Sequence, residues 1–61
     1  MAVVTRVRRY LAQTGMAQTV FGRAVLNDPR LVDDLLNGRQ PRSRTVARID
    51  AFIATHPEGL R

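Results

Sequence analysis

An all-α domain, a compact set of four short helices or at most five, is the fold class this sequence predicts, and three observations predict it. Apolar residues recur at steps of three and four along the chain, as they do when one face of a helix is buried. Glycine and capping residues fall where those periodic stretches stop and start. There is no cysteine, and the single histidine, His56, has no partner for a zinc site, so 61 residues must build their core from helix faces alone.

Val3, Val4, Val7, Tyr10 and Leu11 mark the buried face of a first helix from Val3 to Gln13. Gly15 stands where a left-handed cap ends it, and Met16 can fold back on the apolar face. A second helix from Ala17 to Val25 is expected to bury Val20, Phe21, Ala24 and Val25, with Gly22 allowing another backbone to approach closely. Asn27 and Asp28 are favoured N-caps and Pro29 suits the first helical position, which places the third helix at Pro29 to Asn37. It turns Val32 and Leu35 inward with support from Leu31 and Leu36, and Gly38 ends it. GRQPRS then reads as a turn, with Ser43 capping a fourth helix over residues 43–55 whose inner face is Val46, Ile49, Phe52 and Ile53. Pro57 stops it soon after. Isolated helices under about a dozen residues are marginal in water, so these must fold together as one domain over residues 1–61.

The net charge is +5, and every basic residue is an arginine. Guanidinium groups grip phosphate bidentately and stack on bases, which suits nucleic acid; a GC-rich genome gives the same bias without a function behind it. Residues 1–27 carry four arginines and no acid, residues 28–38 carry Arg30 against three aspartates, and residues 39–61 carry five arginines against Asp50 and Glu58. Positive charge therefore brackets an acidic middle. No apolar run approaches the roughly 18 residues needed to span a bilayer, and MAVVTRVRRYLA has neither the apolar stretch nor the cleavage site of a signal peptide. A cytoplasmic protein without a membrane partner is expected.

Two short helices a few residues apart have no room for long antiparallel contact. The near-perpendicular helix-turn-helix, here over about residues 17–38, is the usual solution. Its second helix protrudes, and arginines on both sides make the unit a credible major-groove reader.

The stretch QTVFGRAVLNDPRLVDDLLNG, residues 18–38, resembles without gaps the helix-turn-helix of the lambda-repressor-like (Xre-type) family. QPRSRTVARIDAFIA resembles that family's following proline, turn and fourth helix. The match rests on Gln18 opening the motif, Phe21 in its core, Gly22 at the tight crossing, Val32 and Leu35 inside the second helix, and Asn37-Gly38 ending it. Pro41, Thr45, Val46 and Ile49 fit the later pattern; the joint spacing is distinctive where no single residue is. The chain departs from the family at Leu26, where glycine is usual at the turn, and at Asn27, where an apolar residue is usual. Asn27 can itself take the left-handed conformation, moving the bend by one residue. Ala17 replaces the usual serine or threonine cap, weakening that helix start by about 1 kcal/mol. The 61 residues also contain no match to the fifth helix that many members use to dimerise.

The resemblance implies a sequence-selective duplex-DNA-binding transcriptional regulator of bacterial or phage type, nucleoid-associated when bound. It implies a homodimer on DNA or a larger protein partner, with no cofactor, metal or small-molecule substrate. Gln18 and Thr19 would meet phosphate at the start of the motif, Asn37 and Arg39 would do so after its second helix, and Arg42 and Arg44 would extend the clamp. Pro29, Arg30, Asp33 and Asp34 on the outward side become the base readers. Arg30 could bond guanine O6 and N7, while Asp33, one turn later, could accept from a cytosine amino group or hold Arg30 in its rotamer.

Plainer readings stand beside these. Asp33 and Asp34 could simply solvate the outer face of a short helix, and Arg6, Arg8 and Arg9 could form a solvated face instead of reaching flanking DNA. His56 offsets a helix C-terminal dipole when protonated, and Tyr10 and Phe52 belong to the core. The alternative function is a protein-interaction module, a small adaptor or polymerase-binding cofactor using the LVDDLL surface. An enzyme is not expected, because no acid–base pair, nucleophilic cysteine or phosphate-cradling glycine loop is present.

Overall fold

The computed structural model describes residues 2–60 and has four helices in the order α1 (Val3–Thr14), α2 (Gln18–Leu26), α3 (Leu31–Leu36) and α4 (Ser43–Thr55). The all-α, four-helix architecture is therefore the observed one. α2 packs on α3 and α4, and α1 packs on the same two helices.

Each helix ends for a local reason. Gly15 closes α1 at φ 72°, its N–H donating to the Leu11 carbonyl at 2.8 Å. Asn27 closes α2 at φ 55°, the only left-handed residue other than glycine among the described residues. The bend thus sits on Asn27, as the side chain's tolerance of that conformation allows. Gly38 closes α3 at φ 91°, with its N–H on the Leu35 carbonyl at 3.2 Å and the Arg39 N–H on the Asp34 carbonyl at 3.0 Å. That pair of bonds is a Schellman motif.

Helix starts depart from expectation in two places. α3 begins at Leu31, because Pro29 and Arg30 form a turn closed by the Leu31 N–H on the Asp28 carbonyl at 3.2 Å. Asp28 still caps the unit, its carboxylate accepting the Arg30 N–H at 3.0 Å. Ser43 is the first residue inside α4, Arg42 occupies the cap position, and no side chain caps that end. Nor does one cap α2 at Ala17, whose methyl group has no acceptor.

The core draws on all four helices: Val7 and Tyr10 from α1, Phe21 and Val25 from α2, Leu31, Val32 and Leu35 from α3, and Ile49 from α4. Complete burial of such a side chain contributes about 1.5–3 kcal/mol. Met16 packs against this cluster, as do Phe52 and Ile53. Tyr10, Phe21 and Phe52 meet with ring centroids 5.5–6.2 Å apart and tilted or edge-on, the arrangement that aromatic quadrupoles prefer. Val20 and Ala24 are exposed, contrary to the expected inner face of α2. With nine residues, that helix presents a narrow stripe, and Phe21, Gly22 and Val25 fill it. The same holds in α3, where Leu31 is a full member of the core and Leu36 lies outside it, 43% exposed.

Two polar ties fasten α1 to the far end of the chain. The Tyr10 hydroxyl donates to the His56 carbonyl, and Arg6 grips Asp50 with Nε and an Nη nitrogen, each at 3.1 Å. His56 stacks on Phe52 at 4.3 Å, and its Nδ1 sits 3.2 Å from the Phe52 carbonyl at the end of α4.

Candidate nucleic-acid interface

α3 is held from one side only. Leu31, Val32 and Leu35 anchor it, while Pro29 and Arg30 in the preceding turn, Asp33, and Asn37 at the cap are all exposed. Three of the four base readers expected from the sequence, Pro29, Arg30 and Asp33, therefore share the outward side. No hydrogen bond joins the Arg30 and Asp33 side chains among the described residues.

The closeness of α2 to this unit depends on Gly22, which is buried under the turn that launches α3. A Cβ there would lie 2.1 Å from the Asp28 carbonyl oxygen and 3.2 Å from the Leu31 Cβ. The Asp28 N–H in turn donates to the Gly22 carbonyl at 3.1 Å. Only glycine at this position lets the turn sit directly on α2.

Asp34 is placed differently from the other three candidates. It is half-buried on the flank of α3, and its carboxylate accepts from an Nη of Arg39 at 2.9 Å. Both residues line a groove of about 350 Å³ between α3 and the start of α4, along with Asp28, Gln40, Arg42 and Thr45. A second groove of about 420 Å³ lies on the other side of the 38–41 loop, against Val3, Val4 and Arg6 of α1. Arg39, Gln40 and Pro41 belong to both, so this loop forms the ridge between them.

The expected phosphate contacts are all on the surface: Gln18 and Thr19 in the first turn of α2, Asn37 and Arg39 after α3, and Arg42 and Arg44 around the start of α4. Residues 37–44 contain three arginines and no acid. Arg39 and Arg42 are brought together by their shared groove. Arg48 follows Arg44 by four residues and so lies on the same flank of α4. Arg6 is committed to Asp50, which separates it from the exposed Arg8 and Arg9. Gln40 and Thr45 add polar groups to the groove that the sequence reading assigned to no contact. The QPR turn before α4 is the signal in the sequence for Gln40.

Among the described residues, no group of three or more His, Cys, Asp or Glu side chains is arranged to hold a metal ion, and no helix is long and apolar enough to cross a membrane. Burial raises the Tyr10 hydroxyl above the ordinary tyrosine pKa, partly opposed by a hydrogen bond with the Gly59 backbone. Tyr10 lies in the core and takes no part in this surface. The chain matches no protein-family model, no curated protein and no solved structure.

Proposed function

We propose that this protein is a sequence-selective duplex-DNA-binding transcriptional regulator of the lambda-repressor-like kind. α3 enters the major groove, Pro29, Arg30 and Asp33 face base edges, and Gln18, Thr19, Asn37, Arg39, Arg42 and Arg44 meet phosphates. One observation carries this reading: a short helix anchored on one side by Leu31, Val32 and Leu35 leaves Arg30 and Asp33 outward, with the arginines of the 38–44 segment directly after it. In that setting the arginines supply sequence-independent affinity and Asp33 supplies discrimination, because an unpartnered carboxylate in the groove is repelled by the wrong bases. One such domain makes a small interface, so two copies on adjacent half-sites or a larger protein partner complete the affinity. The role places the protein in the cytoplasm, on the nucleoid when bound.

Labelled duplex fragments from the source genome should be retained at about 50 mM salt and released steeply toward about 200 mM. A lack of any salt-dependent retention would remove the proposal. Changing Arg39, Arg42 and Arg44 together to glutamate should abolish retention while the fold, followed by circular dichroism, survives.

A second reading draws support from Leu36, whose 43% exposure puts an apolar side chain beside Asp33 on the LVDDLL surface. On that reading the domain is a protein-interaction module, and the triple charge reversal leaves partner capture intact. Loss of DNA retention in that variant, together with its persistence in Leu36→Ala, decides for the regulator.

A further inference from the structure

We infer that Asp34 is a positioning residue that holds the Arg39 guanidinium ready for a DNA phosphate at the mouth of the groove between α3 and α4. The inference rests on the DNA-binding reading above and moves Asp34 from the base-reading set to the phosphate-binding one. Three observations carry it. The backbone of Arg39 is fixed to that of Asp34, its N–H donating to the Asp34 carbonyl at 3.0 Å across the left-handed Gly38. Its side chain is fixed as well, but through a single nitrogen, the Nη to Asp34 Oδ2 contact at 2.9 Å. A guanidinium has five N–H donors in a planar fork, so the edge turned away from the carboxylate keeps donors for an incoming oxygen. Finally, the two side chains differ in depth: Arg39 is 71% exposed and Asp34 only 32%, so the acid lies behind the base.

An acid this close to a phosphate contact has two opposite effects, and their sizes decide between them. Screened repulsion from a carboxylate on the far side of the guanidinium weakens binding by less than about twofold at physiological salt. Ordering a long, rotamer-rich side chain before binding strengthens it by about twofold to tenfold, since that entropy is otherwise lost on association. Preordering wins. Asp34 also lines the groove with Arg39, Gln40, Arg42 and Thr45, an address that suits a residue acting on the phosphate clamp.

The test uses the full chain and a mixed-sequence duplex of about 20 base pairs, titrated between about 50 and 200 mM salt. Arg39→Gln should reduce the slope of log affinity against log salt by about one. Asp34→Ala should weaken binding about twofold to fivefold, and Asp34→Asn, whose amide oxygen still accepts from Arg39, should recover most of that loss. In the Arg39→Gln background, Asp34→Ala should no longer weaken binding, and relief of the screened repulsion should tighten it by less than about twofold. Melting curves confirm that each variant is folded at the temperature used, and the asparagine variant covers the case in which alanine disturbs α3. Equal or tighter binding by Asp34→Ala, or an unchanged loss in the Arg39→Gln background, would overturn the assignment alone. Failure of the unmodified protein to bind any duplex would overturn it together with the function on which it rests.

Discussion

The carbonyl oxygen of Asp28 occupies the space that a side chain on residue 22 would need, 2.1 Å from where a Cβ on Gly22 would stand. That oxygen is also tied down, since it accepts the Leu31 N–H. Gly22→Ala should therefore destabilise the domain by about 2 kcal/mol, overpacking of more than that being partly offset by about 1 kcal/mol of helix propensity. In a domain this small, about 2 kcal/mol lowers the melting temperature by roughly 8–16 °C. Thermal melts followed by circular dichroism check this, and an unchanged midpoint would mean that the turn can lift off α2.

Asn27 carries the bend between the same two helices at φ 55°. Asn27→Gly should be tolerated within a few tenths of a kcal/mol, while Asn27→Val should cost about 1–2 kcal/mol or more, because a β-branched side chain resists the left-handed conformation. Urea midpoints for the two variants should fall on opposite sides of a clear gap.

The Tyr10 hydroxyl gives the stability an alkaline edge. Burial raises its pKa above 10.0, so the folded state favours the protonated form. The resulting stabilisation is complete below the unfolded-state value near pH 10 and is lost as pH climbs through the raised folded value. Urea midpoints taken from about pH 8 to 11.5 should decline over that upper range in the unmodified protein. Tyr10→Phe should show a flatter profile there, from a lower starting stability, because the His56 carbonyl is left with the Gly59 N–H as its donor.

Asp50 and Arg6 make a bidentate contact, yet both are substantially exposed. Asp50→Ala should cost no more than about 1 kcal/mol, with the difference shrinking as salt is added. A larger, salt-independent loss would show that the pair does more than bridge α1 to α4.

On the proposed DNA-binding role, Asp33 contrasts most sharply with the arginines. Selection of bound duplexes from a random pool should show relaxed preference at one base position for Asp33→Ala, equivalent to about 1–3 kcal/mol of lost discrimination. Its salt dependence should match that of the unmodified protein, and an unchanged selected sequence would return Asp33 to the role of a solvating residue.

Much of this architecture is legible in the sequence because the strongest signals are local. Gly15, Asn27 and Gly38 end helices where backbone chemistry demands it, and Asp28 caps α3 even though the helix itself starts later than Pro29. Periodicity did less well at the edges of each apolar stripe. Val20, Ala24 and Leu36 have helical spacing like their buried neighbours, but which rim of a short helix meets a partner depends on where the other helices lie, and a pattern within one segment does not contain that. The Asp34–Arg39 pair was hidden for a related reason. Five residues apart and separated by Gly38, the two share no helical face; the left-handed turn brings them together.

Six residues make α3, and three of them are committed to a core that every other helix also enters. So short a segment has no private stability, and its amide protons should exchange with solvent at the pace of those in the middle of α1. Distant changes such as Val7→Ala or Ile49→Val would then act as heat-sensitive lesions, thinning out the outward face of α3 without altering one atom on it.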